Sequence, residues 1–293
     1  MATENNSPAY SLEKTSAERR TERPHWVLDD AVYSISALLL SVIIIHSIWT
    51  LVIRPRAEAV LSQRIEVTQK GSGVKAQVLQ LRSVYVILKD HEQELCVTLC
   101  LWSLLLLARQ AHVTRKDRQL LDRDYVKIGE GQVVLPEDAR VYSRPLEQLP
   151  KSEQDGFLPR LLMVAYNRFG ATRSVQDAAE AVRTECEFET ASMDTKLSMV
   201  RFTAWAIPAV GFVGTVRGIG AALQEAQGAM GGDISGVTMG LGVTFNATLT
   251  ALVSCIIVMF WMHQLQQYQD RLVLDGRTYV DRQLLRKMRV VNK

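Results

Sequence analysis

Hydroxyl and amide side chains are concentrated in the first half of an apolar segment near the C-terminus. The stretch GVTMGLGVTFNATLTALVSCIIVMF carries Thr238, Thr244, Asn246, Thr248 and Thr250 within thirteen residues. A lone threonine in an apolar helix can bond to its own i−4 carbonyl without any further role. Five polar side chains so close together favour instead a water-lined path or a polar helix contact. On a helix, Thr244 and Thr248 share one face, and Asn246 and Thr250 share another.

The preceding apolar segment, WAIPAVGFVGTVRGIG, combines a proline with glycines at helical spacing. Gly214 and Gly218 have the spacing that lets two membrane helices approach closely, and Thr215 lies one residue from this glycine face. We therefore expect helix packing at the proline and at the glycines of both segments, namely Pro208, Gly211, Gly214, Gly218 and Gly240.

Neither segment contains an aspartate, glutamate or lysine between its ends. A path for protons needs a group that takes them up and releases them, so the carboxylate would have to come from a partner chain. Arg217 can reach the membrane interface or pair with Glu225, and in an inward position it would act as an electrostatic gate against cations. For His46, in an earlier apolar segment, an interhelical hydrogen bond is a simpler expectation than a proton relay.

Four apolar segments are candidates for transmembrane helices. Residues 31–53 would extend over about 34 Å as a helix, with His46 as the one ionisable side chain. The run at residues 95–113 is shorter in its purely apolar part, and Arg109 can reach the interface. The third and fourth candidates are residues 200–223 and 237–263. The sequence thus predicts an all-α membrane protein with four transmembrane helices, or three if residues 95–113 do not cross.

The distribution of charge predicts how these segments are oriented. The loop at residues 224–236 holds two acids and no lysine or arginine, whereas residues 109–199 carry fourteen Lys and Arg and residues 264–293 carry seven. By the positive-inside rule, the loop lies outside and both basic segments lie in the cytoplasm. Residues 54–94 then lie outside despite their seven Lys and Arg. This conflict keeps open the alternative in which residues 95–113 do not cross and the N-terminus is outside.

Outside the spans, we expect a disordered tail, an extracytoplasmic loop and cytoplasmic helices. These parts are residues 1–30, residues 54–94, a helical segment at 114–199 and an amphipathic tail at 264–293. Within the cytoplasmic segment, Pro159 favours the start of a helix that Gly170 can end. Ser174 and Asp177 resemble a capping arrangement, and the helix that they open runs without a breaker into the third span.

Two of these stretches resemble a known family. IPAVGFVGTVRGIG is similar to the signature at the third helix of MotA/TolQ/ExbB proton channel proteins, and GLGVTFNATLTALV resembles their last-helix motif. The similarity covers roughly residues 155–290, and the pair of motifs at this spacing makes it specific.

The resemblance implies a function and partners. In this family, five such chains are thought to surround two copies of an ExbD/TolR/MotB-like single-helix subunit, whose aspartate carries the proton. Carried over by position, the pore-lining threonines are Thr215 and Thr244, and we place Thr248 and Asn246 on the same proton pathway. The chain would then be a stator-type subunit of an ion-driven motor in the bacterial inner membrane. A non-conducting oligomeric membrane scaffold is the alternative.

Two positions depart from the family pattern. Arg217 stands where tryptophan or an aliphatic residue is frequent, and Asn246 stands where many relatives have aspartate. Asparagine cannot ionise, so a charge-dependent role of that position would be lost or moved elsewhere.

Several classes of function lack support in the sequence. There is no Walker loop, Rossmann fingerprint, HExxH motif or nucleophile elbow, so we expect no enzyme and no cofactor. The four cysteines have no metal-ligand spacing and are expected to be packing residues. A net charge of +3 without a dense basic tract gives no support for nucleic-acid binding. The expected partners are copies of the chain itself, the single-helix subunit and membrane lipid.

Overall fold

The computed structural model describes residues 25–60, 84–126, 129, 132–226 and 235–290, and it is helical through most of them. The helices are α1 (His25–Ile48), α2 (Val84–Ile87), α3 (His91–Leu121), α4 (Ala139–Glu147), α5 (Lys151–Gln154), α6 (Phe157–Thr172), α7 (Val175–Lys196), α8 (Ser198–Ala226) and α9 (Ser235–Gln283), followed by a 3₁₀ turn at Leu285–Lys287. The described residues form no strand, and one isolated bridge joins Val134 to Met288. The predicted all-α class is therefore confirmed.

Within the described residues, four helical stretches are long and apolar enough to cross a membrane. They are Asp30–Val60, His91–Leu121, Val175–Ala226 and Gly236–Lys287. Each of them contains one of the predicted spans. The prediction of four such helices, with long helices extending beyond them, agrees with the structure.

The helices continue past the predicted limits of the spans, because the polar residues at those limits do not break a helix. Residues 25–30 and 54–60 are helical, although they were expected to belong to a tail and a loop. A π-helical turn at Trp49–Ile53 precedes Pro55, whose missing N–H prevents a regular α-helical bond there. The rest of that tail, residues 1–24, and residues 61–83 of that loop lie outside the described residues.

α1 and α3 lie side by side in opposite directions. Near one end, His46 Nδ1 is 2.7 Å from Glu94 Oε1. In the middle, Trp102 Nε1 donates to the carbonyl of Ser34 over 2.9 Å. At the other end, Arg109 pairs with Asp30 at 2.7 Å. Because α1 and α3 contact each other along this whole length, a membrane crossed by α1 is also crossed by α3. This favours four spans over three.

α3, α8 and α9 form a bundle in which α8 is antiparallel to the other two helices. Ser103 and Thr203 join α3 to α8 through a buried hydroxyl pair 2.6 Å apart. The apolar contacts around this pair come from all three helices and include Cys96, Val200, Ile207, Ala251 and Val258. We call the end of the bundle near residues 227–234 the loop end; these eight residues lie outside the described part of the chain.

At the other end, the helices continue into a second core, which we call the stalk. It consists of α4, α6, α7 and the C-terminal parts of α3 and α9, and its fully buried side chains include Phe157, Leu161, Leu162, Phe169 and Leu272. Tyr166 lies in this core, and burial raises the pKa of its hydroxyl. Arg160 of α6 binds Glu185 and Glu189 of α7, which ties the two helices together.

The junction of α6 and α7 confirms one sequence prediction and corrects another. Ser174 caps α7, since its Oγ accepts a hydrogen bond from the backbone N–H of Asp177 over 3.2 Å. Gly170 does not end α6; the helix continues to Thr172, and Arg173 ends it with a left-handed φ of 55°. Gly170 lies inside α6, where a Cβ would make an ordinary contact of 3.4 Å with that of Ala139.

The two long membrane helices differ in how they enter the stalk. α7 and α8 follow each other in one helical stretch from Val175 to Ala226, as expected, with a single buried residue, Leu197, in a turn between them. α9 runs without interruption for 49 residues. The predicted separate amphipathic tail is thus largely the continuation of the fourth span.

Candidate functional site

The contact between α8 and α9 is built from small residues. Antiparallel packing brings Gly211 against Ala251, Gly214 against Ala247, Gly218 against Thr244, and Gly240 against Ala222. A Cβ at Gly214 would lie 2.7 Å from that of Ala247, and one at Gly218 would overlap the hydroxyl of Thr244. The glycines that the sequence marked as packing positions are therefore occupied by contacts within one chain.

Thr215 and Thr248 form a hydroxyl pair across this contact. Their Oγ1 atoms are 2.5 Å apart, and Thr215 also donates to the carbonyl of Gly211 over 3.0 Å. Both residues are half-buried, at the edge of the glycine contact. Each hydroxyl can donate and accept a hydrogen bond, so the pair can orient water or a carboxyl group that reaches it.

The other polar residues of α9 are placed differently. Thr244 is 1% exposed and donates to the carbonyl of Gly240 over 2.9 Å, while its side chain packs against Gly218. Asn246 is half-buried, and its carbonyl accepts from Thr250 over 2.9 Å. The structure thus brings Thr215 together with Thr248 and leaves Thr244 in the helix contact of the single chain.

Pro208 has a local effect that involves a cysteine. Because proline has no N–H, it cannot bond to the carbonyl four residues before it, which is that of Ala204. The thiol of Cys255, on α9, lies 3.2 Å from this carbonyl and donates to it. Cys255 was expected only to fill space, but it also satisfies the backbone group that Pro208 leaves free.

Arg217 forms an ion pair with an acidic residue that was not predicted to be its partner. Its Nη2 lies 2.8 Å from Glu92 Oε2, in the first turn of α3. The Glu92 side chain is 12% exposed, and its Cγ would lie 3.2 Å from a Cβ at Gly214. The partner is therefore Glu92, whereas the sequence had suggested Glu225. The pair lies at the loop end, where the Arg217 side chain is 56% exposed and Glu92 precedes the predicted span at residues 95–113.

A second ionic group lies between α1 and α3, also at the loop end. Glu94 accepts from Arg54 over 2.9 Å and is bound by His46 at 2.7 Å. Arg54 also lies 3.0 Å from the Nδ1 atom of His91. The expected interhelical hydrogen bond of His46 is present. The presence of Glu92 and Glu94 just before the apolar run of α3 was a visible signal, but their partners are too far away in the sequence to be inferred.

A family comparison identifies the part of the chain that holds these helices. Residues 153–277 match the MotA/TolQ/ExbB proton channel family. The resemblance predicted from the two motifs is thereby confirmed over this region. The MotA/TolQ/ExbB region comprises α6, α7, α8 and most of α9, so it includes both the hydroxyl pair and the stalk. No curated protein and no solved structure matches the chain significantly.

The family and the helices together establish a general class. MotA/TolQ/ExbB proteins are associated with channels and transport, and the four apolar helices make this chain a multi-pass membrane protein. Glu92, Glu94 and Arg54 lie outside the region that matches MotA/TolQ/ExbB. Among the described residues, no group of histidine, cysteine and acidic side chains has the geometry of a metal site.

Proposed function

We propose that the chain is a proton-conducting, stator-type subunit of an ion-driven motor. The match of residues 153–277 to a proton channel family is the observation that carries this proposal. The predicted spans of α8 and α9 contain no acidic residue, so a single-helix partner of the ExbD/TolR/MotB type supplies the proton-carrying aspartate. The bacterial inner membrane is the proposed location, since a motor of this kind uses a transmembrane proton gradient.

The proposed proton pathway runs along the Thr215–Thr248 pair. Its support is the 2.5 Å contact between the two hydroxyls, their partial exposure and their position across α8 and α9. A carboxylic acid is hard to ionise in a dry apolar site, and hydroxyls that hold water lower this cost. Thr244 and Asn246 stay predicted members of the pathway, and Arg217, paired with Glu92, stays a predicted gate.

The proposed assembly is a ring of copies, five by the family resemblance, around two copies of the partner. The glycine faces formed by Gly211, Gly214, Gly218 and Gly240 already pack within the chain and are therefore not free for this ring. The outward face of α8 offers another surface. Phe202, Trp205 and Phe212 are exposed there by 58%, 72% and 68%, respectively. In a membrane, such a face contacts lipid or a neighbouring copy.

The first prediction tests the pathway with valine variants, because valine keeps the shape of threonine and removes the hydroxyl. Thr215→Val and Thr248→Val are expected to leave ring assembly intact, since one interhelical hydrogen bond in a membrane contributes only about 0.6 kcal/mol on average. Proton flux should fall at least about tenfold if the hydroxyls lower the barrier by about 1.4 kcal/mol or more. Native mass spectrometry measures assembly, and flux is measured in vesicles with the partner present.

The same experiment includes Thr244→Val, because Thr244 is buried against Gly218. Loss of flux with an intact ring would place Thr244 on the pathway, while unchanged flux would assign it to packing. One observation favours the scaffold alternative, namely that Thr244, a position carried over as pore-lining, is 1% exposed in the single chain. Absence of flux in the unaltered ring with its partner would support the scaffold and reject the channel.

A further inference from the structure

A groove runs along the surface between α3 and α9, where the bundle meets the stalk. Its volume is about 660 Å³. α3 lines it with Leu104, Leu107, Ala111 and Arg115, and α9 contributes Trp261 and Tyr268. On each helix, these residues lie three, four or seven positions apart and therefore follow one face.

The groove passes from the apolar region to the expected membrane interface. Leu104, Leu107 and Ala111 fall within the predicted span at residues 95–113, whereas Arg115 follows it. On a helix, the distance from Leu104 to Arg115 is about 16 Å along the axis. Trp261 and Tyr268 stand on either side of the end of the fourth predicted span. Tryptophan and tyrosine are enriched where the hydrocarbon of a bilayer meets its headgroups.

The charge in the groove is positive and unbalanced. Arg115 is exposed and forms no ion pair with any residue in the described part of the chain. Two other arginines of α3 differ from it, because Arg109 pairs with Asp30 and Arg118 pairs with Asp275. The described side chains that line the groove include no carboxylate. A guanidinium group in this setting is suited to bind a phosphate oxygen.

We propose that this groove binds one anionic phospholipid from the leaflet at the stalk end of the bundle. An acyl chain lies along Leu104, Leu107 and Ala111, and the phosphate accepts hydrogen bonds from Arg115. The groove favours an anionic headgroup over a zwitterionic one, because it has no acid to pair with a choline or ethanolamine cation. This site is separate from the Thr215–Thr248 pair and does not depend on proton conduction.

The test measures lipid retained by the full-length protein after reconstitution with equal amounts of phosphatidylglycerol and phosphatidylcholine. Native mass spectrometry should show that phosphatidylglycerol is retained preferentially. Arg115→Gln should reduce this preference about tenfold, the effect of about 1.4 kcal/mol from a lost charge-assisted bond. The matched control is Arg168→Gln, which removes an exposed arginine of α6 in the stalk and should change nothing.

A second variant tests the apolar part of the groove. Ala108 is exposed and lines the groove, so Ala108→Trp should fill it and reduce retention of both lipids without disturbing the buried core. Equal retention of the two lipids by the unaltered protein would overturn the proposal. It would also be overturned if Arg168→Gln reduced the preference for phosphatidylglycerol as much as Arg115→Gln does. Anion binding that survives Ala108→Trp and is displaced by inorganic phosphate would indicate a free-anion site. Cross-linking between copies through Ala108→Cys would show that a second copy covers the groove.

Discussion

At the scale of single residues, the backbone carbonyl of Ala204 shows how a membrane helix tolerates an internal proline. Pro208 removes the N–H that would bond to this carbonyl, and water is absent from the bilayer interior. The thiol of Cys255 takes over as the donor. Through this hydrogen bond, Cys255, a small side chain on α9, affects the backbone geometry of α8.

This arrangement gives a second prediction. Cys255→Ala should destabilise the bundle by about 1 kcal/mol, because the carbonyl loses its donor, while Cys255→Ser should restore most of the loss. In the Cys255→Ala background, Pro208→Ala should also restore stability, since the introduced alanine would supply the missing N–H. Unfolding in a denaturing detergent measures the unaltered protein, the three single variants including Pro208→Ala, and the double variant. If Pro208→Ala gives the same change with and without Cys255, the two residues are not coupled in this way.

The ion pair of Glu92 and Arg217 leads to a third prediction at this scale. Arg217→Gln leaves the mostly buried Glu92 carboxylate without its partner and should destabilise the fold by about 1 kcal/mol, whereas Glu92→Gln leaves an exposed guanidinium group and should cost less. The double variant should be more stable than the sum of the single effects predicts. Stability is again read from detergent unfolding. Arg183→Gln, which removes an exposed pair in the stalk, serves as the control and should have little effect.

At the scale of helices, the close approach of α8 and α9 depends on which side of its helix each glycine lies. Gly218 faces Thr244, whereas Gly220, two residues later, has nothing within 4 Å of a Cβ position. Gly218→Ala should therefore separate the helices or displace Thr244, at a cost of about 1–3 kcal/mol.

Gly220→Ala is the matched control for this fourth prediction. It adds the same methyl group to the same helix and should be neutral or stabilising, by up to about 1 kcal/mol, because alanine favours the helix. Detergent unfolding distinguishes the two variants. Equal destabilisation by both would mean that helix propensity, rather than contact with Thr244, determines the result.

The sequence predicted the helices themselves more accurately than it predicted which side chains of different helices contact each other. Apolar runs and helix-compatible residues were enough for the all-α fold, and the cap at Ser174 depends only on nearby residues. The end of α6 at Arg173 was missed, because the left-handed position at a helix end is usually taken by glycine and here an arginine takes it. The sequence suggested Thr244 and Thr215 but not the pairing of Thr215 with Thr248, because this pairing depends on the relative rotation of α8 and α9.

At the scale of the whole molecule, the ionic contacts at the loop end bear on topology. The sequence placed residues 54–94 outside despite their basic residues. Arg54 is neutralised by Glu94, and Arg56 donates to the Tyr85 hydroxyl over 2.6 Å. The positive-inside rule counts basic residues and not net charge, so these contacts leave the conflict at residues 54–94 for labelling to decide.

The fifth prediction concerns this topology and uses single cysteines at Lys89, Ala229 and Gln267. With four spans, an impermeant thiol reagent added from outside should label Lys89→Cys and Ala229→Cys, whereas Gln267→Cys should react only after the membrane is opened. The native cysteines Cys96, Cys100 and Cys186 are buried and should react slowly. Labelling of Ala229→Cys from outside and of Lys89→Cys only from inside would select the three-span alternative.

The uninterrupted length of α9 has a consequence for small movements. At 49 residues, the helix is about 74 Å long. If its loop end were fixed, a tilt of about 5° would displace its far end by about 6 Å, since that length acts as the radius. An angular change too small to open the contacts around Gly218 would thus become, in the stalk, a displacement larger than the width of a side chain.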